Sequence, residues 1–425
     1  MGKYRKRIAD KLLQYNLEEM GAVLVKGPKW CGKTTTCEQQ AKSVIYMDDP
    51  KMKEQYVMLA NTQVELLLNG EKPRLIDEWQ VAPKIWDTIR FNVDHNDDNK
   101  DGQYILTGST VPPDENDIEH TGTGRFAELK MRTMSLYESG DSTGEVSLED
   151  LFQKAENISG SNPLDLARIA YLICRGGWPG SLKKSERASL RIPYHYFDIL
   201  VQKDISHVDN VKRNPEWAAA ILRSYARLQG SQASINVIEQ DVKNLSSSLS
   251  ESTIENYLDA LRKLFVVEDL LAWSPNLRSK TAIRTSPTRY VVDPSIAIAA
   301  MGVGPEDLLG DLNTMGFLFE TLAIRDLRVY AESLDGTVYH YRDKTELECD
   351  AVIHLRNRKI GLIEIKLGGE KSISEGANTL KALANRLDIT TMKEPSFLMV
   401  LTAVGQFAYR RDDGVFVVPI GCLRP

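Results

Sequence analysis

"GAVLVKGPKWCGKTTT", residues 21–36, decides the reading of the amino-terminal third. Its first six residues are an apolar run bounded by glycines, the pattern of a buried strand. The pattern G-x-x-x-x-G-K-T follows at once, with Gly27, Gly32, Lys33 and Thr34 in register, and "TTTCEQQAK" then reads as the start of a helix. A glycine loop joining strand to helix presents successive backbone N–H groups and a helix terminus to an anion, so a polyphosphate is the expected ligand. Lys33 is expected to reach the terminal phosphates as a point charge, and the Thr34 hydroxyl to contact magnesium. Pro28 and Thr35 complete the expected nucleotide-binding stretch with Gly27 and Gly32.

Three downstream segments turn this loop into a site. "PRLIDEWQ", residues 73–80, is an apolar stretch ending in Asp77 and Glu78, which puts two carboxylates at the carboxyl edge of a strand. Asp77 is expected to hold the magnesium shell and Glu78 to orient or deprotonate the attacking water. "GQYILTGS", 102–109, is a further strand whose Thr107 or Ser109 would report the phosphate state; the alternative is a plain Gly-Ser turn. "TGTGRF", 121–126, presents Arg125, either to a γ-phosphate of the same or a neighbouring subunit or as a scaffold ion-pair residue. "SVIYMDDP" (43–50) reads as another strand, "KIWDTIRFNVD" (84–94) as an amphipathic helix before the polar turn "HNDDNKDG", and "KMRTMSLYES" (130–139) as the fifth strand. Short strands separated by helices indicate a parallel sheet covered by helices.

A chain of 425 residues exceeds what one hydrophobic core serves, so two or three domains are expected. The net charge of −6 excludes a generally basic protein while allowing a basic face on one domain. No apolar run approaches the ~20 residues that cross a bilayer, and "MGKYRKRIADKLLQY" has no signal-peptide core, so a cytoplasmic protein without membrane contact is expected. Five scattered cysteines, in no metal-ligand spacing, suit reduced thiols.

With these segments in place, residues 21–137 resemble the ATPase domain of a large bacterial and archaeal group of uncharacterised AAA-family ATP-binding proteins. The resemblance covers roughly residues 10–415. It carries over Gly27, Gly32, Lys33, Thr34, Asp77, Glu78, Thr107 and Arg125, implies ATP and Mg2+ as cofactors, and implies a second family domain downstream. "GGWPG" within "LARIAYLICRGGWPGSL" (166–182) resembles the group's Gly-Gly-aromatic-Pro marker. Gly176 and Gly177 permit tight backbone geometry there and Pro179 stops a helix, so a hinge or packing role is expected. His195 and His207 lack metal-ligand spacing.

The middle of the chain is helical. Ile254, Leu258, Leu261 and Leu264 or Phe265 recur at helical spacing after the polar "SSSLSES" connection and should bury one face. The succession resembles a winged-helix module with 251–265 as its second helix, which could enter a major groove or mediate protein contacts. Arg262, Lys263 and "RSKTAIRTSPTR" supply the nearby positive charge, with Arg278, Lys280 and Arg284 the candidates for phosphate contact.

The carboxyl third carries a second constellation. "LGDLNTMGFLFETLAIRDLRVY", 309–330, is a helix bearing Glu320; "TVYHYRDKTELECDAVIHLRNRKIGLIEIKLGG", 337–369, alternates strand-like runs with turns. Glu364 and Lys366, separated by one residue on a strand, project to one face. With Asp350 they resemble the restriction-endonuclease-like core, although Cys349 stands where that core's familiar Pro would precede the Asp. The resemblance implies that Asp350 and Glu364 bind magnesium, that Lys366 positions water or stabilises phosphate charge, and that Glu320 completes the shell. Buried or paired residues retained for stability are the alternative.

The expected fold class is α/β: a P-loop NTPase parallel sheet covered by helices over 1–155, a helical and winged-helix-like module over 156–275, and a restriction-endonuclease-like α/β domain over 276–425. The expected function is ATP binding and hydrolysis coupled to a nuclease-like domain. The expected partner is DNA or another protein, including a second copy of the chain. The other reading is an ATP-controlled interaction or remodelling switch with a catalytically inactive scaffold.

Overall fold

The computed structural model describes residues 4–95, 101–109, 122–153, 157–244, 249–275, 286–387 and 394–425. Arg278, Lys280 and Arg284, together with most of the 95–102 turn and part of the serine-rich connection, lie outside the described residues. The chain forms two compact units. One comprises Met1–Thr133, Gln202–Asn214 and Leu258–Val266; the other comprises Met134–Val201, Pro215–Tyr257 and Val267–Pro425.

The first unit is built on five parallel strands: β1 (Ala22–Lys26), β2 (Ser43–Tyr46), β3 (Arg74–Asp77), β4 (Tyr104–Gly108) and β5 (Phe126–Lys130), in spatial order β2-β3-β4-β1-β5. The period of two divides their side chains between two cores. Ala22, Ile76, Tyr104 and Leu106 face one way, onto Trp79, Ile85, Trp86 and Ile89. Val23, Val25, Leu75, Ile105 and Leu129 face the other, onto Leu13 of the Ile8–Glu19 helix and onto Cys31 and Cys37. Burial on both faces is why the strands read as continuous apolar runs rather than alternating ones. The result is a parallel β-sheet wrapped by helices, the arrangement of a P-loop NTPase.

The fifth strand is displaced from its expected place. It occupies Phe126–Lys130, and "SLYES" is instead the start of a helix, Leu136–Ser139. Ser135 caps that helix by accepting from the Glu138 N–H, and the Glu138 carboxylate accepts from the Ser135 N–H, a reciprocal pair that ends any extended conformation.

In the second unit, the helix Leu312–Glu332 precedes an antiparallel meander of β8 (Gly336–Arg342), β9 (Glu348–Leu355) and β10 (Ile360–Lys366). The helix Glu370–Arg386 then crosses to β11 (Phe397–Thr402), which runs parallel to β10. With β12 (Phe407–Arg410), β13 (Phe416–Pro419) and the short β7 (Gly160–Ser161), the order is β7-β12-β13-β11-β10-β9-β8. Val352, Ile360, Leu362 and Val400 bury one sheet face against Ala377, Leu380 and Leu383 of the crossing helix.

Residues 134–152, placed in the first domain by the expected boundary at 155, belong to the second unit. The Leu136 N–H donates to Asp326, and β6 (Val146–Ser147) pairs with β14 (Leu423–Arg424). The Gly-Gly-Trp-Pro-Gly turn serves packing there. A Cβ on Gly177 would stand 2.1 Å from the Met134 carbonyl oxygen, the Gly177 N–H donates to Asp293, and the buried Trp178 indole donates to Ser295 at 2.9 Å. Helices fill the middle region, including Glu251–Lys263, where Ile254, Leu258 and Leu261 are buried at the expected spacing. Two antiparallel bridges, Val267 to Val291 and Leu270 to Thr288, close a hairpin beyond it. Among the described residues no helix is long and apolar enough to cross a membrane, and all five cysteines are buried and unpaired.

Candidate nucleotide site and acidic cluster

Because β4 lies between β1 and β3, the carboxyl ends of all three strands meet beside the glycine loop. Thr107 is in register with Val25 on one side and with Asp77 on the other. The Asp77 carboxylate accepts from the Thr34 hydroxyl at 2.9 Å and from the Thr107 hydroxyl, so one oxygen ties the loop, β3 and β4 together. Burial raises the Asp77 pKa, and the two hydroxyl donors work against that rise.

The glycine loop is held from several sides. Gly27 has φ +154°, and a Cβ there would sit 2.1 Å from the Met131 carbonyl oxygen. Gly32, at φ +100°, turns the chain into the Lys33–Glu38 helix. The buried Lys33 ammonium donates to the Gly27 and Pro28 carbonyls, both at 2.9 Å. Thr35 points outward and is exposed. Arg7, unnoticed in the sequence, donates to the Cys31 carbonyl at 2.8 Å and to the Arg132 carbonyl at 2.9 Å, fastening the loop to the exit of β5. Lys29 pairs with Asp204 at 2.7 Å. Neither contact is visible in local spacing, because each joins residues more than a hundred positions apart or belongs to an unremarkable basic stretch.

Glu78 adopts a left-handed backbone, φ +54° and ψ +47°, which turns its side chain away from the strand direction. Its carboxylate accepts from the Gln80 amide and, at 3.4 Å, from the Ser109 hydroxyl. Burial raises its pKa, while the Lys33 ammonium opposes the rise. Asp48, at the end of β2, adds a like charge that pushes both Asp77 and Glu78 upward.

Arg125 stands apart from this group. In the parallel register Phe126 is opposite Ala22, and the Ala22 N–H donates to the Arg125 carbonyl, so Arg125 enters β5 at the amino edge of the sheet. The glycine loop leaves β1 at the carboxyl edge: from the level of Gly21, beside Arg125, to Gly27 is six strand steps, roughly 20 Å. The guanidinium pairs with Asp94 at 2.7 Å and donates to the Thr123 carbonyl at 2.9 Å. The expectation that Arg125 could serve a γ-phosphate bound to its own chain is therefore corrected: a sheet's depth separates them.

The carboxyl-terminal constellation assembles on two antiparallel strands. Asp350 on β9 accepts from the Ile365 N–H at 2.7 Å, and the Lys366 ammonium lies 3.3 Å from Asp350 and 2.7 Å from Glu364. Ile365, between them, is buried on the opposite face, as the strand period requires. Gly376 of the crossing helix lets that helix approach: a Cβ there would meet the Glu364 Cβ at 3.3 Å. Lys366 and Asp350 keep partial exposure, so the cluster opens to solvent.

Glu320, on the Leu312–Glu332 helix, accepts from the Tyr290 hydroxyl. Burial, reinforced by the Asp350 carboxylate, pushes both Glu320 and Glu364 up to about 8, and the two carboxylates raise Lys366 above its ordinary value against the opposing effect of burial. Among the described residues no three His, Cys, Asp or Glu side chains stand close enough to form a ready-made metal cage. Asp350 and Glu364 converge on one positive charge, the Lys366 ammonium.

Three family models match successive stretches of the chain. A family model for an AAA domain matches residues 19–140; a Domain of unknown function (DUF8612) matches 166–307, and a Domain of unknown function (DUF4143) matches 315–423. The chain is 23% identical over 372 residues to uncharacterized protein Mb2031c of Mycobacterium bovis and, to the same extent, to uncharacterized protein Rv2008c of Mycobacterium tuberculosis, covering 87% of this chain and 75% of each relative. Among solved structures it is similar to the Walker-type ATPase PABY2304 of Pyrococcus abyssi, at 14% identity and a TM-score of 0.41, with 68% of this chain and 94% of that chain covered. A single-substitution variant of RuvB from Thermotoga maritima follows at 15% identity and a TM-score of 0.27, with 61% and 87% covered. The chain carries an N-terminal AAA+-type ATPase domain linked to C-terminal domains of unknown function.

Proposed function

We propose that the amino-terminal site hydrolyses ATP and that its nucleotide state governs a metal-dependent, nuclease-like core acting on DNA. Lys33 would exchange its loop carbonyls for the β- and γ-phosphate oxygens, and the N–H groups of the Gly27–Thr35 loop would bind the rest of the polyphosphate. Thr34 and Asp77 supply oxygen donors for magnesium, which when bound neutralises charge on the phosphate oxygens. Glu78, its pKa raised by burial, would orient the attacking water and accept its proton as the new O–P bond forms and the bond to the ADP oxygen breaks. Thr107 and Ser109, bonded to Asp77 and Glu78, would register loss of the γ-phosphate. Arg125 would act only across a subunit boundary.

The observation that carries the effector half is the Lys366 ammonium between the Asp350 and Glu364 carboxylates on neighbouring strands. Glu320 on the preceding helix, Asp350 on one strand and Glu364 and Lys366 on the next follow the pattern that the restriction-endonuclease-like resemblance implies, which supports this reading. Asp350 and Glu364 would hold a divalent cation, with Glu320 as a further donor; the cation would polarise a phosphodiester, and Lys366 would position water or stabilise phosphate charge. The middle region, residues 156–275, would act as the winged-helix-like connector between the ATPase over 1–155 and the core over 276–425.

The test is cleavage of single- and double-stranded DNA with magnesium or manganese, with and without ATP, by the wild type, Asp350→Ala and Lys33→Ala. Cleavage lost in Asp350→Ala and altered by ATP only when Lys33 is present supports the coupling. The second reading, an ATP-controlled interaction switch with an inactive scaffold, is favoured by the direct pairing of Lys366 with both carboxylates. ATP turnover without cleavage of either substrate would select it.

A further inference from the structure

The glycine loop is gripped by a stretch that reaches it from far along the chain. Lys29 is the second of the four residues between Gly27 and Gly32, and its ammonium lies 2.7 Å from an Asp204 oxygen. The Asp204 side chain is 11% exposed and that of Lys29 41%, so the carboxylate is the fixed member of the pair. Its backbone is fixed as well, because Asp204 belongs to Gln202–Asn214, a stretch of the first unit that is locked on itself. The Arg213 guanidinium makes two bonds to the Asp209 carboxylate, at 2.6 and 2.8 Å, and a third to the Ile205 carbonyl at 2.8 Å. The Arg213 N–H donates to the Ser206 hydroxyl at 2.9 Å, and the Val208 N–H to the Asp204 carbonyl at 3.1 Å. Ile205 and Val208 are buried. Asp204 therefore stands on a closed, cross-braced turn.

An unpaired carboxylate beside a polyphosphate site repels the ligand. Paired with Lys29 it is neutralised, and it gives the loop an external anchor. The other holds lie on either side of Lys29: the Lys33 ammonium on the Gly27 and Pro28 carbonyls, and the Arg7 guanidinium on the Cys31 carbonyl. Trp30, next in the chain, takes a left-handed backbone with φ +65°, a conformation that a bulky residue keeps only where its surroundings over-determine it. We propose that Asp204 is a positioning residue of the nucleotide site: through Lys29 it holds residues 28–31 in the conformation that aims the loop N–H groups at the phosphates. This rests on the reading of the Gly27–Thr34 loop as the ATP site. Lys33 then serves the phosphates and Lys29 the loop, and Gln202–Asn214 becomes part of the site although Asp204 stands 175 positions beyond Lys29. Preorganisation of this kind raises affinity by removing an ordering cost that binding otherwise meets. Coupling is reciprocal, so whatever displaces this stretch weakens nucleotide binding by the factor with which bound nucleotide resists the displacement.

The test is equilibrium binding of a fluorescent, non-hydrolysable ATP analogue with magnesium to the full chain, for wild type, Lys33→Ala, Asp204→Asn, Lys29→Met, Lys29→Arg and the Lys29→Met/Asp204→Asn double variant. Circular dichroism and thermal melting without nucleotide confirm that each is folded. Loss of a partly exposed ion pair should weaken binding by about two- to fivefold in Asp204→Asn. Lys29→Arg keeps the pair and should bind like wild type. The double variant should bind no more weakly than Lys29→Met, since Asp204 acts only through Lys29. An affinity unchanged or raised in Asp204→Asn, with binding still lost in Lys33→Ala, overturns the positioning role and leaves the ATP site standing. Lys29→Met reads the same pair from its exposed side, and binding there equal to wild type overturns the role as well. So does a loss on Asp204→Asn that is equally large with Lys29 or Met at position 29, because Asp204 would then act on the fold generally. Absence of binding by the wild type removes the ATP reading itself, and the positioning role with it.

Discussion

Arg125→Ala tests how far sheet topology can be trusted over sequence resemblance. The guanidinium sits at the amino edge of β5, while the phosphates belong at the carboxyl edge of β1. Six strand steps, from the level of Gly21 to Gly27, separate the two, roughly 20 Å at about 3.3 Å per residue. That exceeds the ~8 Å screening length at physiological ionic strength. Through-space stabilisation of a γ-phosphoryl group in the same chain is therefore worth a few-fold in rate at most, against about 10³–10⁵-fold for an arginine that touches it. The assay is steady-state phosphate release at saturating ATP over a hundredfold range of protein concentration, with sedimentation velocity in parallel. In dilute, monomeric protein Arg125→Ala should turn over within about threefold of wild type. A thousandfold loss independent of concentration would refute the topological argument. A large defect confined to concentrations at which the chain self-associates would instead assign Arg125 to a neighbouring subunit's site.

Glu78→Gln keeps the side-chain shape and removes the base, so kcat should fall by about 10²–10⁴-fold while ATP affinity, read by fluorescent-nucleotide titration, changes little. Arg325 lies buried between Asp293, 3.1 Å away, and Asp326, 2.7 Å away, and Arg325→Met leaves two buried carboxylates without their cation. Urea denaturation should show a loss of about 3–5 kcal/mol, and a loss below about 1 kcal/mol would contradict the buried network. His340 is buried, and burial lowers its pKa to about 4, with Gln232 facing its Nδ1 at 3.3 Å. The unfolded chain takes up that proton below about pH 6.5 and the folded chain only near pH 4, so stability is full above pH 6.5 and falls as the pH drops towards 4. Integrated over that window the loss is about 3 kcal/mol, and urea curves of His340→Gln should lack this part of the pH dependence.

The residues that gather at the carboxyl ends of β1, β3 and β4 are legible because their pattern is local. Gly27 to Thr34 is contiguous, and Asp77 and Thr107 each end an apolar run, so strand ends and site residues announce one another. What local reading misses is spatial order. Nothing in the sequence says that β4 inserts between β1 and β3, which is what lets one Asp77 oxygen meet both Thr34 and Thr107. The same blindness places Arg125 near the phosphates.

The fifth strand escapes a local reading for a different reason. Met131, Met134 and Leu136 are all buried and mimic a strand pattern, whereas β5 has only Leu129 fully buried on its edge position. A Ser-x-x-Glu signature at Ser135 and Glu138 marks a helix start and is outweighed by that apolarity. In the carboxyl third, the Glu-x-Lys spacing on β10 reveals its own shared face. The grip of Tyr290 and Gly230 on Glu320 spans 30 and 90 positions and leaves no periodic trace.

Gly27 bears on how nucleotide-free variants of such proteins are made. The space beside it is closed by the Met131 carbonyl, part of the protein's own scaffold, before any ligand is considered. A side chain at position 27 would push the exit of β5 away from β1, so an inactive Gly27 variant would report a disturbed sheet as readily as a lost phosphate contact. Lys33, whose ammonium donates to the Gly27 and Pro28 carbonyls of its own loop, is the cleaner position for separating nucleotide binding from folding.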